Sequence, residues 1–260
     1  MMSDSVEVDV SRPLHKKAVV ITGAGRGIGR SLALGFAAQG ATVLVHHGHS
    51  QGAAEDVVRQ IEASGGTAML AQADISNADD VARLVKDVVE RLGPIDIWIN
   101  NAGATANSEE TVGLSNLDIF ERMMTVDVIG TWLCCRAVAP HMSVGGCILT
   151  TGWDHAFVGA PGMSNQLYAV SKGAVIAMTR SLARELAPRI RVNCITPGWI
   201  DNEWSANRPS SFRERVAQTI PLQRWGTPQD VLAAALFLAS PAAACITGQV
   251  LPVNGGDVMR

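Results

Sequence analysis

The chain has 260 residues, 21 basic against 24 acidic side chains for a formal charge of −3, and 47% hydrophobic but only 17% charged residues. That length suits one α/β domain, or two smaller ones, with enough core to fold without disulfide staples. The balanced charge excludes an electrostatic footprint for nucleic acid or an anionic membrane, and charged residues below the roughly 25% of an average soluble chain predict surface hidden between subunits.

Residues 1–17 read as a polar leader without the apolar stretch of a secretory signal, and no run approaches the roughly 18 apolar residues of a membrane span, so a cytoplasmic location is expected. A β-branched strand over 18–22 stops at the cluster Gly23, Gly25, Gly27 and Gly29, and a helix over 28–39 follows, ending at Gly40. Next come a strand over 41–46, an amphipathic helix over 52–64 and a strand over 68–73. Ser76 is expected to cap a helix over 77–92, whose Val81, Leu84, Val85, Val88 and Leu92 recur at helical spacing.

A buried strand is predicted over 95–99, one long helix over 117–142, a strand over 148–151, a helix over 167–186 and a strand over 190–195. Residues 199–220 break the rhythm with Asn, Ser, Pro and Arg and form a candidate lid, before a helix over 229–238 entered through Thr227 and Pro228. The apolar stretch Val250–Val253 suits burial between subunits. Cys134, Cys135, Cys147, Cys194 and Cys245 form no CxxC pair and read as reduced thiols. Strand alternating with helix implies βαβ crossovers, hence a doubly wound parallel sheet with helices on both faces, in one domain over 18–260.

The glycine cluster stands where a strand hands over to a helix, so its backbone amides and the positive helix end would face a pyrophosphate. A plain tight turn is the competing reading. An acidic residue ending the second strand would accept from a ribose 2′-hydroxyl and repel a 2′-phosphate. The sequence has Val45, His46, His47, Gly48, His49 and Ser50 there instead. With no carboxylate present, Arg26, His47, His49 and Ser50 are candidates for a 2′-phosphate, which favours NADP(H) over NAD(H). No metal site is expected of His46, His47 and His49, because neighbours on a strand face opposite ways and no acidic or Cys partner is near in sequence.

Tyr168 is the only tyrosine of the chain and stands four residues before Lys172, on one face of a predicted helix. A free phenol has a pKa of about 10, and a nearby ammonium lowers it by favouring the phenolate, which makes the pair a workable acid/base. The bland alternative is a half-buried Tyr beside a snorkelling Lys.

With the glycine loop, the stretch Asn100, Asn101, Ala102, Gly103 and the Tyr168/Lys172 pair, the chain resembles the short-chain dehydrogenase/reductase family, and within it the 3-oxoacyl-carrier-protein reductase-like members. The resemblance runs from about residue 18 to residue 256 and implies a Rossmann-like fold. It implies that Gly23, Gly25, Arg26, Gly27, Ile28 and Gly29 cradle the cofactor, that Asp74 and Ile75 meet its adenine, and that Asn101, Ala102 and Gly103 line its adenosine side. Thr151, Pro197, Gly198 and Ile200 would border the nicotinamide. Tyr168 would donate a proton to a carbonyl while hydride arrives, and Lys172 would hold the nicotinamide ribose. The same resemblance implies a homotetramer, with a dimer as the alternative, acting on a small carbonyl or alcohol substrate.

Two positions depart from the family. Gly152 and Trp153 fall where a serine normally hydrogen-bonds the substrate carbonyl, leaving Thr151, Asp154, His155 and Ser164 as substitutes; Asp154 and His155 form either a polar pair or a solvated turn. Asp127 replaces an asparagine whose backbone carbonyl holds a relay water to the lysine, a role that tolerates Asp. Trp153, His155, Phe157, Met163, Trp199 and Trp204 are expected to wall a pocket for a flat or aromatic substrate. Trp98 and Trp132 read as core, and Trp225 as a loop anchor. The missing serine keeps two other readings open: a nucleotide-binding regulatory protein without turnover, and a lyase or isomerase using Tyr168 and Asp154.

Overall fold

The computed structural model describes residues 14–106 and 109–259. Seven strands form one parallel sheet in the order β3-β2-β1-β4-β5-β6-β7: β1 (Ala18–Ile21), β2 (Thr42–His47), β3 (Thr67–Gln72), β4 (Ile95–Asn100), β5 (Met142–Thr151), β6 (Ile190–Pro197) and β7 (Val250–Val253). Between them lie α1 (Gly27–Ala38), α2 (Gln51–Ala63), α3 (Ala78–Leu92), α4 (Asn116–Met123), α5 (Thr131–Val138), α6 (Met163–Leu186), α7 (Glu203–Ala206), α8 (Ser210–Thr219) and α9 (Pro228–Ala239). Among the described residues no helix is long and apolar enough to cross a membrane.

Alternate residues of a strand face opposite ways, so each strand feeds two cores. Val19, Ile21, Val43 and Val45 face one layer with Leu32 and Phe36 of α1, Val57 and Ile61 of α2, and Val231 and Leu238 of α9. Val20, Leu44 and Trp98 face the other, with Val81, Leu84, Val85 and Val88 of α3, Cys134 and Cys135 of α5, and Leu182 of α6. The chain steps outward from β1 to β3, then crosses to β4 on the other side of β1. That reversal opens a crevice at the carboxyl ends of β1 and β4, where doubly wound sheets bind ligands.

Several expectations are corrected. Asn77, not Ser76, caps α3, its side chain accepting from the backbone N–H groups of Asp79 and Asp80; the Ser76 hydroxyl instead donates to Asp74 at 2.6 Å. The long helix expected over 117–142 is broken: α4 gives way to a π-helical stretch, Met124–Gly130, then α5, then a 3₁₀ turn, Ala139–His141, containing Pro140. β5 accordingly begins six residues earlier than the predicted strand, at Met142. Hydrophobic periodicity hides such a break, because a π-turn inserts a residue without changing composition. Trp98 is fully buried, as expected, but Trp132 is 48% exposed and belongs to no core. Trp225 is buried and donates its indole N–H to the Arg213 carbonyl at 2.9 Å, which makes it the anchor of the 199–220 excursion.

Candidate active site

The turn from β1 to α1 needs glycine for two different reasons. Gly23 has φ +64°, and a Cβ there would stand 2.8 Å from Ala102 Cα; a Cβ on Gly29 would stand 2.2 Å from the Gly23 carbonyl oxygen. Thr22 Oγ1 accepts from the N–H groups of Asn101 and Ala102, both at 3.0 Å, and the Asn101 amide donates to the Thr22 and Gly23 carbonyls. The glycine turn and the end of β4 are thus one hydrogen-bonded body.

His46, at the end of β2, completes it. Its Nδ1 is 3.3 Å from Gly23 N and its Nε2 is 3.0 Å from Ala73 O. Gly23 N–H can only donate and Ala73 O can only accept, so the ring is the Nε2–H tautomer. Burial lowers its pKa to about 4 and keeps it neutral.

A cavity of about 550 Å³ opens over this body, lined by Gly23, Arg26, His46, His49, Ser50, Asp74, Ile75, Asn101, Ala102 and Gly103. Arg26 and His49 are exposed there. His47 does not line the cavity: it is buried, with Nδ1 lacking a hydrogen-bond partner. The histidine expected at the cofactor is therefore on the wrong side of the strand, and His46 takes the place at the glycine turn because consecutive strand residues alternate. Gly25 backs onto α2, where a Cβ would lie 3.2 Å from Ala54 N, and Ile28 packs on the core. Of the residues expected near a nicotinamide, Thr151 and Pro197 end β5 and β6, and Ile200 is buried with a bridge to Gly226.

Beyond Gly103 lie Tyr168 and Lys172, the candidate acid/base pair. A Cβ on Gly103 would stand 3.0 Å from both Lys172 Nζ and Asp127 Oδ1, so the cavity wall and the Lys172 ammonium meet there. Lys172 Nζ is 3.2 Å from Asp127 Oδ2 and 5.4 Å from the centre of the Tyr168 ring. Asp127, on the π-helical stretch, also accepts from Ala104 N at 2.7 Å and from the Ser171 hydroxyl at 3.1 Å. Its side chain thus makes contacts that the sequence did not foretell, to Lys172, Ser171 and Ala104.

The electrostatics differ from expectation as well. Burial pushes the Tyr168 phenol up; the Lys172 ammonium pulls it down and the Asp127 carboxylate pushes it up again, leaving it above its ordinary value. Burial acts to lower Lys172, but Asp127, Tyr168 and Cys194 together raise it, and the net direction is up. An ammonium already neutralised at 3.2 Å cannot depress a neighbouring phenol as a free one would.

Aromatic rings line the other side. Trp153 lies edge-on to Tyr168 with centroids 5.2 Å apart and stacks on His155 at 5.1 Å; His155 meets Trp199 at 6.3 Å. Trp199 continues into Phe212 and Trp225, which root α8. Phe157 is partly buried, Met163 is 50% exposed at the start of α6, and the Trp204 side chain lies outside the described residues.

Asp154 is fully buried and is no solvated turn residue: Oδ1 accepts from His155 N at 2.8 Å and pairs with His155 Nδ1 at 2.9 Å, and Oδ2 accepts from Asn254 at 3.0 Å. With both oxygens engaged it cannot reach a substrate carbonyl. Ser171, His46, Asn254 and Asp257 were not apparent from the sequence. Ser171 sits three residues after Tyr168 on the same helix face and was within reach of helical spacing; Asn254 lies 100 residues from Asp154 and was not.

The family profile described as "Enoyl-(Acyl carrier protein) reductase" matches residues 23–257. The 3-oxoacyl-[acyl-carrier-protein] reductase of Synechocystis sp. is 38% identical over 251 residues, 95% of this chain and 98% of that protein. A short chain dehydrogenase from Burkholderia cenocepacia, solved in complex with NADP, is similar with a TM-score of 0.84 at 35% identity, covering 94% of this chain and 98% of that one. A blue fluorescent protein from a metagenomic library, solved in complex with NADPH, gives 0.85 at 33% identity over 95% and 99% of the two chains.

Proposed function

The chain belongs to the short-chain dehydrogenase/reductase family and is an oxidoreductase of that family, and from that premise we propose that it interconverts a carbonyl and a secondary alcohol on a bulky, flat-sided substrate with NADP(H). The observation that carries this reading is the meeting, at Gly103, of the glycine-turn cavity with the buried Asp127–Lys172 pair beside Tyr168. The residues fit the cofactor: the Gly23 and Gly29 cradle leaves no room for a Cβ, and Arg26, His49 and Ser50 line the cavity end where a carboxylate would otherwise reject a 2′-phosphate. NADPH, when bound, supplies the hydride.

In reduction Tyr168 donates its hydroxyl proton to the carbonyl oxygen, and in oxidation the phenolate takes it back. Lys172, paired with Asp127, holds the nicotinamide ribose. Asp74, Ile75, Asn101 and Ala102 hold the adenosine side, and Thr151, Pro197, Gly198 and Ile200 border the nicotinamide. The carbonyl donor that replaces the family serine comes from Thr151 or Ser164, since Asp154 is fully engaged and both ring nitrogens of His155 face carboxylates. Trp153, Trp199, Phe157 and Met163 wall the substrate, and residues 199–220, carrying α7 and α8, act as its lid.

A homo-oligomer is part of the reading. Leu222 and Met259 are 66% and 73% exposed around a cavity of about 590 Å³ at the β7 edge, and Leu117, Ile129 and Trp132 are exposed elsewhere. Two separate apolar faces support a tetramer over a dimer. A reducing, cytoplasmic setting suits five free cysteines.

The test is reduced-nicotinamide consumption across a panel of aromatic and alicyclic ketones. Tyr168→Phe is expected to lose turnover by on the order of 10²–10⁴-fold while still binding NADPH; a wild-type rate in that variant overturns the reading. Arg26→Ala is expected to raise KM for NADPH about tenfold and leave KM for NADH unchanged. Trp153 in the serine position favours one competing reading, a nucleotide-binding protein without redox turnover, and NADPH binding with no consumption on any substrate would support it.

A further inference from the structure

The turn after β7 reaches back to the segment after β5. Buried Asn254 donates to Asp154 Oδ2 at 3.0 Å and to Val258 O at 2.9 Å, while its Oδ1 accepts from Gly256 N, so residues 254–258 form a closed turn that presents Asp257. Gly198 allows the approach: a Cβ there would stand 2.6 Å from Asn254 Cβ and 2.9 Å from Asp154 Oδ2. Asp257 Oδ2 is buried with no hydrogen-bond partner and lies 3.5 Å from His155 Nε2, while His155 Nδ1 is held at 2.9 Å by Asp154 on the other side of the ring.

We propose that Asp257 is a positioning residue for the substrate pocket: with Asp154 it brackets the His155 ring between two carboxylates, one facing each ring nitrogen, and holds it flat against Trp153, whose edge abuts Tyr168. The proposal rests on the reading of the Tyr168 pocket as the active site.

A neutral imidazole has one N–H. With that proton given to Asp154, the Nε2 lone pair would face a buried carboxylate oxygen, and a second proton removes the conflict. The charged groups facing the ring are Asp154 on its own turn and Asp257 on the C-terminal turn; the rings packed on it, Trp153 and Trp199, are neutral. The hydrogen bond to Asp154 raises the imidazole pKa, burial lowers it, and the two carboxylates raise it further, so the net direction is up. Once the proton is lost, Asp257 repels Nε2 and the ring loses one of its two anchors beside Trp153. The C-terminal turn therefore sets the shape of the pocket wall that stands where the family has its serine.

The test is a proton NMR titration of the histidine ring C–H signals in the full chain, with His155→Asn to assign the resonance. In wild type the His155 midpoint is expected above the ordinary 6.5. Asp257→Asn is expected to lower it by about one pH unit, and Asp257→Glu to restore most of that shift. At a pH between the two midpoints, KM for the carbonyl substrate should rise several-fold in Asp257→Asn with kcat changed less than twofold. A wild-type midpoint at or below 6.5, or an Asp257→Asn midpoint equal to wild type, overturns the proposal, and the first of these needs no variant to fold. The titration needs no turnover, so a shifted midpoint in a protein that consumes no NADPH would overturn the oxidoreductase reading and leave the clamp standing.

Discussion

Replacing Asp127 by Asn removes one negative charge from the buried group behind Tyr168 and keeps nearly the same shape. The amide oxygen can still accept from Ala104 N, now at 2.7 Å from the carboxylate, but the ion pair at 3.2 Å to Lys172 is gone. Lys172 Nζ lies 5.4 Å from the Tyr168 ring centre. At an effective dielectric of about 20, an ammonium no longer neutralised would stabilise the phenolate by about 3 kcal/mol, an upper bound equal to roughly two pH units. Part of the Lys172 charge already reaches the phenol in the wild type, so a downward shift of about one pH unit is expected. Tyr168 is the chain's single tyrosine, so the ultraviolet absorbance of phenolate in Asp127→Asn reports on it alone. The rising limb of kcat/KM for alcohol oxidation, which requires the phenolate as base, should move to lower pH by the same amount. A phenol midpoint that stays or rises would refute the reasoning that the Asp127 carboxylate is what cancels the pull of Lys172 on the phenol.

Three further outcomes follow from the same geometry. His46 has a folded pKa of about 4 against an ordinary value of 6.5, so its neutral form is favoured on folding. Its contribution is complete above pH 6.5 and is lost as pH falls toward 4, a loss of about 3 kcal/mol in urea-unfolding free energy. His46→Asn, which keeps an acceptor for Gly23 N–H, should flatten that acid limb; an unchanged limb refutes the reading that burial holds His46 neutral. Asp154→Ala strands the buried donors of His155 and Asn254 and should cost about 3 kcal/mol of stability, read from the shift in urea midpoint, with a loss under about 1 kcal/mol counting against the clamp. Gly29→Ala should abolish NADPH binding measured by fluorescence, because its Cβ would meet the Gly23 oxygen at 2.2 Å.

Much of the site was legible where its parts are local. The glycine turn is seven residues long, and Tyr168 and Lys172 are one helical turn apart, so spacing alone places them. The choice between His46 and His47 was not legible, because it depends on which face of β2 meets the glycine turn, and both alternations give the same composition. The π-helical stretch was hidden for a similar reason: periodicity continues through it while the backbone register changes, and that register aims Asp127 at Lys172. The depressed phenol expected from Tyr168 beside Lys172 failed because a pairwise reading omits the third charge, which arrives from a different element.

By itself, then, the sequence determined the doubly wound sheet, the glycine turn between β1 and α1 and the placing of Tyr168 and Lys172 on one helix face, since each follows from strand and helix periodicity or from contacts within a single turn. Only the tertiary structure decided which histidine supports that turn, that the Asp127 carboxylate pairs with Lys172, and that Asp154, His155, Asn254 and Asp257 form one group. The long-range contacts among those relations join residues between 23 and 102 positions apart, and no local rule specifies which distant side chains close packing will bring into contact.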